Sequence, residues 1–179
     1  MDFEYLKYLS SGHDRNKILR DLMEHFGQDV WNYAFSITRQ GSLADDIRQD
    51  VFVRAYNKLD TFRGEASVKT WLFSITRNIA VDYRRSAFLR KVNLVNYVVK
   101  KGGHPTAEAE FLERLALNDA WKVVLSLPIK LREVITLYVH HQLSIAEISA
   151  LLQVSEAVVK VRLHRARNKV VCGIHYYSA

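Results

Sequence analysis

Apolar residues recur along most of the chain at three- and four-residue steps, the spacing of one face of an α-helix. In "NKILRDLMEHFGQDVWNYAFSITRQ" the stripe runs through Ile18, Leu22, Phe26, Val30, Tyr33, Ala34 and Ile37. Gly41 then offers a stop, and Ser42 a side chain able to cap a new helix. From Leu43, "LADDIRQDVFVRAYNKLDTF" continues the spacing with Ile47, Val51, Ala55 and Leu59. "FRGEAS" breaks it, and "VKTWLFSITRNIAVDYRR" takes it up again with Val68, Leu72, Ile75, Ile79 and Tyr83. No stretch alternates as a half-buried strand would, and no segment repeats. The pattern predicts an all-α protein.

Between about Ser86 and Pro105 the spacing loosens, and "RKVNLVNYVVKKGGHP" brings basic residues, a Gly-Gly pair and a proline. That is the chemistry of a linker; "LVNYVV" within it reads equally as a short strand or a short helix. Helical spacing resumes near Thr106 with Leu112, Leu115, Ala116, Trp121, Val124 and Leu125. Leu127–Pro128 ends that helix, and Pro128 suits the first position of the next, "IKLREVITLYVHH", where a missing N–H costs nothing. The expected architecture is therefore two small helical domains joined by a flexible linker.

The last stretch, "SIAEISALLQVSEAVVKVRLHRAR", has the form of a helix, a tight turn and a second helix. Ser144 and Glu147 stand at capping-box spacing. Ile145, Ile148, Leu151 and Leu152 would be the buried face, and Ser155 the cap of the second helix. There Val159, Leu163, Ala166 and Val170 share one side. Ala157, Lys160, Val161, His164 and Arg165 share the other. This is the layout of a helix-turn-helix, whose second helix offers its free face to the major groove. A solvated basic face on an ordinary helical hairpin would give the same spacing.

Charge sharpens the choice. The 179 residues carry a formal net charge of +7, which favours an anionic partner, most often nucleic acid. A single cysteine, Cys172, excludes an internal disulfide framework and suits a reducing cytosol. The N-terminus lacks the cationic start and apolar run of a secretory signal. No window approaches the roughly 18 apolar residues of a membrane span, so a cytoplasmic protein without membrane insertion is expected. No phosphate-binding glycine loop, nucleophile elbow or zinc-protease motif occurs, which argues against an enzyme. His140, His141 and Cys172 lack a second Cys/His pair at metal spacing. No cofactor or metal is expected.

The N-terminal half is more specific. "SLADDIRQDVFVRAYNKLDTFRGEASVKTWLFSITRNIAVDYRR" resembles regions 2.1 to 2.4 of bacterial sigma factors, in particular the small extracytoplasmic-function group of the sigma-70 superfamily. The family pattern A-E-D-x-x-Q-E-x-F-x-R-A stands here as "ADDIRQDVFVRA", Ala44 to Ala55, and W-L-x-x-I-x-R-N-x-x-x-D-x-x-R as "WLFSITRNIAVDYRR", Trp71 to Arg85. The C-terminal "LPIKLREVITLYVHHQLSIAEISALLQVSEAVVKVRLHRAR" is similar to region 4 of the same group. The resemblance implies a region 2 helical bundle over residues 1–90, a linker over 91–107 and a region 4 helix-turn-helix over 108–179. It implies a dissociable subunit that brings RNA polymerase to promoters and helps open them.

By the same resemblance, Asp46, Gln49, Asp50 and Arg54 would contact the clamp helices of bacterial core RNA polymerase. Carboxylates and a glutamine suit a basic protein groove and would repel phosphate. The loop Asp60–Ser67 would take an extruded base of the −10 element, with Phe62 as a wall and Arg63 on a phosphate. Arg77, Asn78, Arg84 and Arg85 would track the unpaired −10 strand; Trp71 and Tyr83 beside them read either as core or as stacking rings. Lys160, Val161, His164 and Arg165 would face the −35 duplex. There the family commonly reads T-V-K-S-R-L-x-R-A-R. Val158 and Val161 replace hydroxyl residues, losing two hydrogen bonds in exchange for contact with a thymine methyl. Promoter DNA and an anti-sigma protein are the further partners the resemblance implies. The C-terminal half alone also fits a stand-alone helix-turn-helix regulator with a helical N-terminal interaction domain.

Overall fold

The computed structural model describes the backbone of residues 14–93 and 119–177. Among the described residues the regular elements are helical and no strand occurs. Among the described residues they fall in two compact units: 14–35 with 43–93, and 36–42 with 119–177. The "LVNYVV" segment, most of the expected linker, and Leu112, Leu115 and Ala116 lie outside the described residues.

The first unit is built on α1 (Arg15–Thr38) up to Phe35, α2 (Gly41–Lys58) from Leu43 and α3 (Val68–Asn93). The apolar stripes of all three are buried, Tyr83 excepted, which is half-buried. Trp31, Tyr33 and Phe73 are enclosed, and the Tyr33 and Phe73 rings meet at 5.0 Å, locking α1 to α3. Burying a side chain of that size stabilises by about 1.5–3 kcal/mol, so this ring pair anchors the bundle. A second tie is polar: the Trp31 indole Nε1–H donates to Asp45 Oδ1 at 3.1 Å, joining α1 to α2.

Two boundaries differ from the expected ones. The stop after α1 is made by Arg39, in the left-handed region at φ 56, while Gly41 is the buried first residue of α2. The chain reverses in the two residues directly after Thr38, so the strained conformation falls on Arg39 before the glycine is reached, and Ser42 lies inside α2. At the other end α3 continues to Asn93, beyond the point where its stripe loosens. "SAFLRKVN" holds neither Gly nor Pro, and its Ala, Leu, Arg and Lys sustain a helix by propensity alone. Between α2 and α3 a short 3₁₀ turn, Leu59–Thr61, leads into a loop with Gly64 at φ 70. The loop ends at Ser67, whose Oγ accepts from Thr70 N–H at 3.1 Å and so caps α3.

The second unit holds α4 (Asp119–Ser126), α5 (Ile129–Ile135), a π turn (Thr136–His140), α6 (Ile145–Leu152) and α7 (Glu156–Tyr177). Pro128 is the residue before α5, with φ −52 and ψ 140, rather than its first helical position. The segment "IKLREVITLYVHH" is not one regular helix. After Ile135 the backbone widens, and His141 N–H reaches back to Thr136 O at 3.1 Å. The wide turn keeps Thr136 and Leu137 buried and leaves Val139 and His140 outside. Arg132 is buried, and its Nη1 donates to the carbonyls of Leu125 at 2.6 Å and Leu127 at 3.1 Å. A guanidinium thus satisfies carbonyls that the end of α4 leaves without helical partners. α7 lies along α4, α5 and α6. Its approach to α4 requires Gly173, because a Cβ there would stand 2.5 Å from Val123 Cγ1.

Candidate nucleic-acid and protein interfaces

The helix-turn-helix is held by short-range chemistry. Glu147 N–H donates to Ser144 Oγ at 3.2 Å and Ser144 N–H to Glu147 Oε2 at 2.9 Å, which completes the capping box. α6 closes at Gln153, left-handed at φ 55 and ψ 47. Ser149 Oγ donates to Val154 O at 2.6 Å across the turn, and Ser155 Oγ accepts from Val158 N–H at 3.4 Å to start α7. Val159, Leu163 and Ala166 are buried, Val170 is half-buried, and Ile145 on α6 is also only half-buried.

The opposite side of α7 is exposed at every expected position: Ala157, Lys160, Val161, His164 and Arg165. Lys160 lies 3.9 Å from Glu156 across one turn, a loose pair that leaves the ammonium in solvent. His164 shares a hydrogen bond with Asn168 at 3.2 Å, which orients its ring along the helix. Arg167 is engaged elsewhere, its guanidinium 5.1 Å from the centre of the Tyr138 ring. Val161 is 50% exposed and Val158 38%, and with Ala157 they form an apolar strip among the cations. Water gains nothing from such a strip, whereas a base edge carrying a methyl group does.

On α2 the residues Asp46, Gln49 and Arg54 are exposed and Asp50 is half-buried. They share a face because they recur at three- and four-residue steps. The same face holds Val53, 60% exposed, which the sequence reading did not single out. An apolar residue ringed by polar ones is how an interface centre is commonly made; the signal was that Val53 falls outside the stripe of Ile47, Val51 and Ala55. Asp45 and Arg48, by contrast, pair with each other at 3.2 Å, and Asp45 also accepts from Trp31, so they stabilise the bundle. Tyr83 on α3 donates its hydroxyl to Asp50 Oδ2 at 3.0 Å. That bond, then burial, then the neighbouring negative charges of Asp50 and Asp46 hold the Tyr83 hydroxyl above its usual pKa of 10.0. Tyr83 therefore serves the fold and orients Asp50.

In the loop after α2, Arg63 is exposed, but Phe62 is 9% exposed and packs on Trp71 with ring centres 5.1 Å apart. Phe62 holds the loop down from beneath rather than standing as an open wall; Trp71, half-exposed, is the ring solvent reaches. Asn78, Arg84 and Arg85 are exposed along α3, and Arg77 is half-buried. Trp71, Asn78 and Arg85 stand seven residues apart, two helical turns each, and so line one stripe.

Two family models match the chain: Sigma-70 region 2 over residues 22–88 and Sigma-70 region 4 over residues 117–170. The chain is 31% identical over 154 residues to the RNA polymerase sigma factor YlaC of Bacillus subtilis, covering 83% of this chain and 87% of that one. It is 30% identical to the ECF RNA polymerase sigma factor SigL of Mycobacterium tuberculosis, over 83% of this chain and 84% of the relative. Among solved structures it is similar to CnrH, in complex with the cytosolic domain of CnrY, with TM-score 0.68, 26% identity and 96% of each chain covered. Both regions are matched in order over most of the length of full relatives, and the chain belongs to the extracytoplasmic-function group of sigma-70 RNA polymerase sigma factors.

Proposed function

We propose that the protein binds core RNA polymerase through the α2 face of Asp46, Gln49, Asp50, Val53 and Arg54. The loop Asp60–Ser67 and α3 then take the unpaired −10 strand, and α7 reads the −35 duplex. The working parts are residues 1–90 for region 2, 91–107 as the tether and 108–179 for region 4. The observation that carries the reading is the contrast between two exposed helix faces. On α2 the carboxylates of Asp46 and Asp50 with Gln49 repel a phosphate backbone and suit a basic protein groove. On α7 Lys160, His164 and Arg165 do the opposite.

Arg63, Arg77, Arg84 and Arg85 neutralise phosphates of the opened strand, Asn78 meets a base edge, and Trp71 offers a stacking face. Phe62 acts from beneath, by fixing the loop. On α7, Lys160 and Arg165 contact phosphate or guanine, Val161 a thymine methyl, and His164 either class of group. Two separated contacts on one tether combine their affinities only where promoter spacing fits, which makes spacing part of specificity. No step requires covalent chemistry from this chain, and the place of work is the cytoplasm, where polymerase and promoter are. Among the described residues no helix is long and apolar enough to cross a membrane. CnrH was solved with a second protein's cytosolic domain; a protein antagonist of the anti-sigma type is the corresponding partner here. A stand-alone regulator is not favoured, since region 2 as well as region 4 is matched.

The test is co-migration with bacterial core polymerase on gel filtration, followed by transcription in vitro from a genomic library. Initiation from a defined set of promoters is expected. Duplex binding without polymerase, and no co-migration with it, would return the protein to the regulator class.

A further inference from the structure

We propose that α1 is a splint for the loop Asp60–Ser67, with Arg15, Asp29 and Lys69 as positioning residues for the base that loop receives; this rests on the reading of the loop as the −10 pocket. Arg15 is the first residue of α1, where the helix dipole disfavours a cation. Its guanidinium turns to the end of α2 instead. Nη1 donates to Asp60 Oδ2 at 2.8 Å and Nη2 to Tyr56 O at 2.7 Å, with Cζ 4.9 Å from the centre of the Tyr56 ring. One side chain thus holds the last turn of α2 and the 3₁₀ turn from which the loop departs.

The far end of the loop is tied to the same helix. Lys69, two residues after Ser67, lies with Nζ 2.9 Å from Asp29 Oδ2 and 5.8 Å from the Phe73 ring centre. Along α1, Arg15 and Asp29 are separated by about 21 Å of rigid rod at the usual helical rise. Between these footings the loop is pinned by Phe62 on Trp71 and turned by Gly64.

Neither ion pair is deeply buried: side-chain exposures are 40% and 62% for Arg15 and Asp60, and 28% and 32% for Lys69 and Asp29. Such pairs add little to global stability, and the buried stripe holds α1 in place without them. What they set is where the two ends of the loop stand. A pocket that selects one extruded base depends on that placement, since a binding group displaced by an ångström forfeits most of its contribution.

The test uses holoenzyme and a labelled non-template −10 oligonucleotide from a promoter it opens, with twins carrying an abasic site at each position in turn. The affinity ratio of the intact strand to the most damaging abasic twin reads base capture. Arg15→Gln and Lys69→Met should each lower that ratio roughly five- to tenfold, the size of one ordinary hydrogen bond. The melting temperature of the free protein and its affinity for core polymerase should hold. The exchanged pair Arg15→Asp with Asp60→Arg should recover part of the ratio, since the ion pair returns while the bond to Tyr56 O does not. If both single variants keep the wild-type ratio while Trp71→Ala lowers it, the splint is wrong and the pocket reading stands. If Trp71→Ala and Phe62→Ala leave the ratio untouched as well, the pocket reading fails and the splint with it. A fall in ratio that tracks losses in melting temperature and core affinity also overturns the splint, because the effect is then on the fold.

Discussion

The Tyr83 hydroxyl donates to Asp50 Oδ2 at 3.0 Å, so the third helix of region 2 holds a carboxylate of the second. The bond exists only while Tyr83 keeps its proton, and Asp50, burial and Asp46 all raise the pKa above 10.0. A folded-state pKa above the unfolded one means that the folded protein binds more protons in the interval between them. The contribution is fully present below about pH 10 and is lost as pH rises through the folded value. Wild-type stability should therefore fall more steeply than that of Tyr83→Phe as pH rises above about 10, read by urea midpoints. Equal slopes would show that the bond is not maintained in solution.

Two variants separate the two proposed interfaces. Asp46→Arg places a cation on the α2 face and should abolish co-migration with core polymerase while leaving duplex contacts by α7 unchanged. Arg165→Ala should do the reverse, weakening −35 duplex binding about tenfold, as the loss of one well-placed base or phosphate contact does. Fluorescence anisotropy with core enzyme, and separately with the promoter duplex, reads each effect. A common loss in both variants would mean the faces do not act separately.

Much of this was legible in the sequence because the apolar stripes are regular. Ile18 through Ile37, Ile47 through Leu59 and Val68 through Ile79 are buried as their spacing requires. The turn between α6 and α7 was legible for another reason: Ser144 and Glu147 are local partners three residues apart. What spacing could not carry was long-range polar pairing. Nothing in the sequence near Arg15 points to Asp60, and nothing near Tyr83 points to Asp50. Nor does a stripe report which ring is covered. Phe62 sits in a segment that reads as a loop, yet Trp71 buries it. The π turn at Thr136–His140 escaped because a wide turn leaves no signature in hydrophobic period.

The capping residues of the helix-turn-helix give a stability prediction of opposite signs. Ser144→Ala removes the acceptor for Glu147 N–H and the donor to its carboxylate, and should cost about 1 kcal/mol. Gln153→Gly places the residue suited to φ 55 at the C-cap and should stabilise by up to about 1 kcal/mol. Thermal unfolding of the chain should show the two shifts with opposite sign; a destabilising Gln153→Gly would mean that its side chain, not its backbone, matters there.

The apolar strip on α7 gives the most specific prediction about DNA. Val161 and Val158 are exposed between Lys160, His164 and Arg165, and neither can hydrogen-bond. In the major groove the one base feature that rewards such a surface is the thymine C5-methyl. Replacing thymine by deoxyuridine deletes that methyl and keeps every hydrogen-bonding group. At one or more −35 positions this should weaken holoenzyme binding about three- to fivefold, the worth of one buried methyl. Val158→Ser with Val161→Ser should bind thymine and deoxyuridine templates alike, because the valines that distinguish them are gone. Wild-type protein indifferent to deoxyuridine at every −35 position would show that the valines face away from the bases, and that Lys160 and Arg165 carry the contact through phosphate alone.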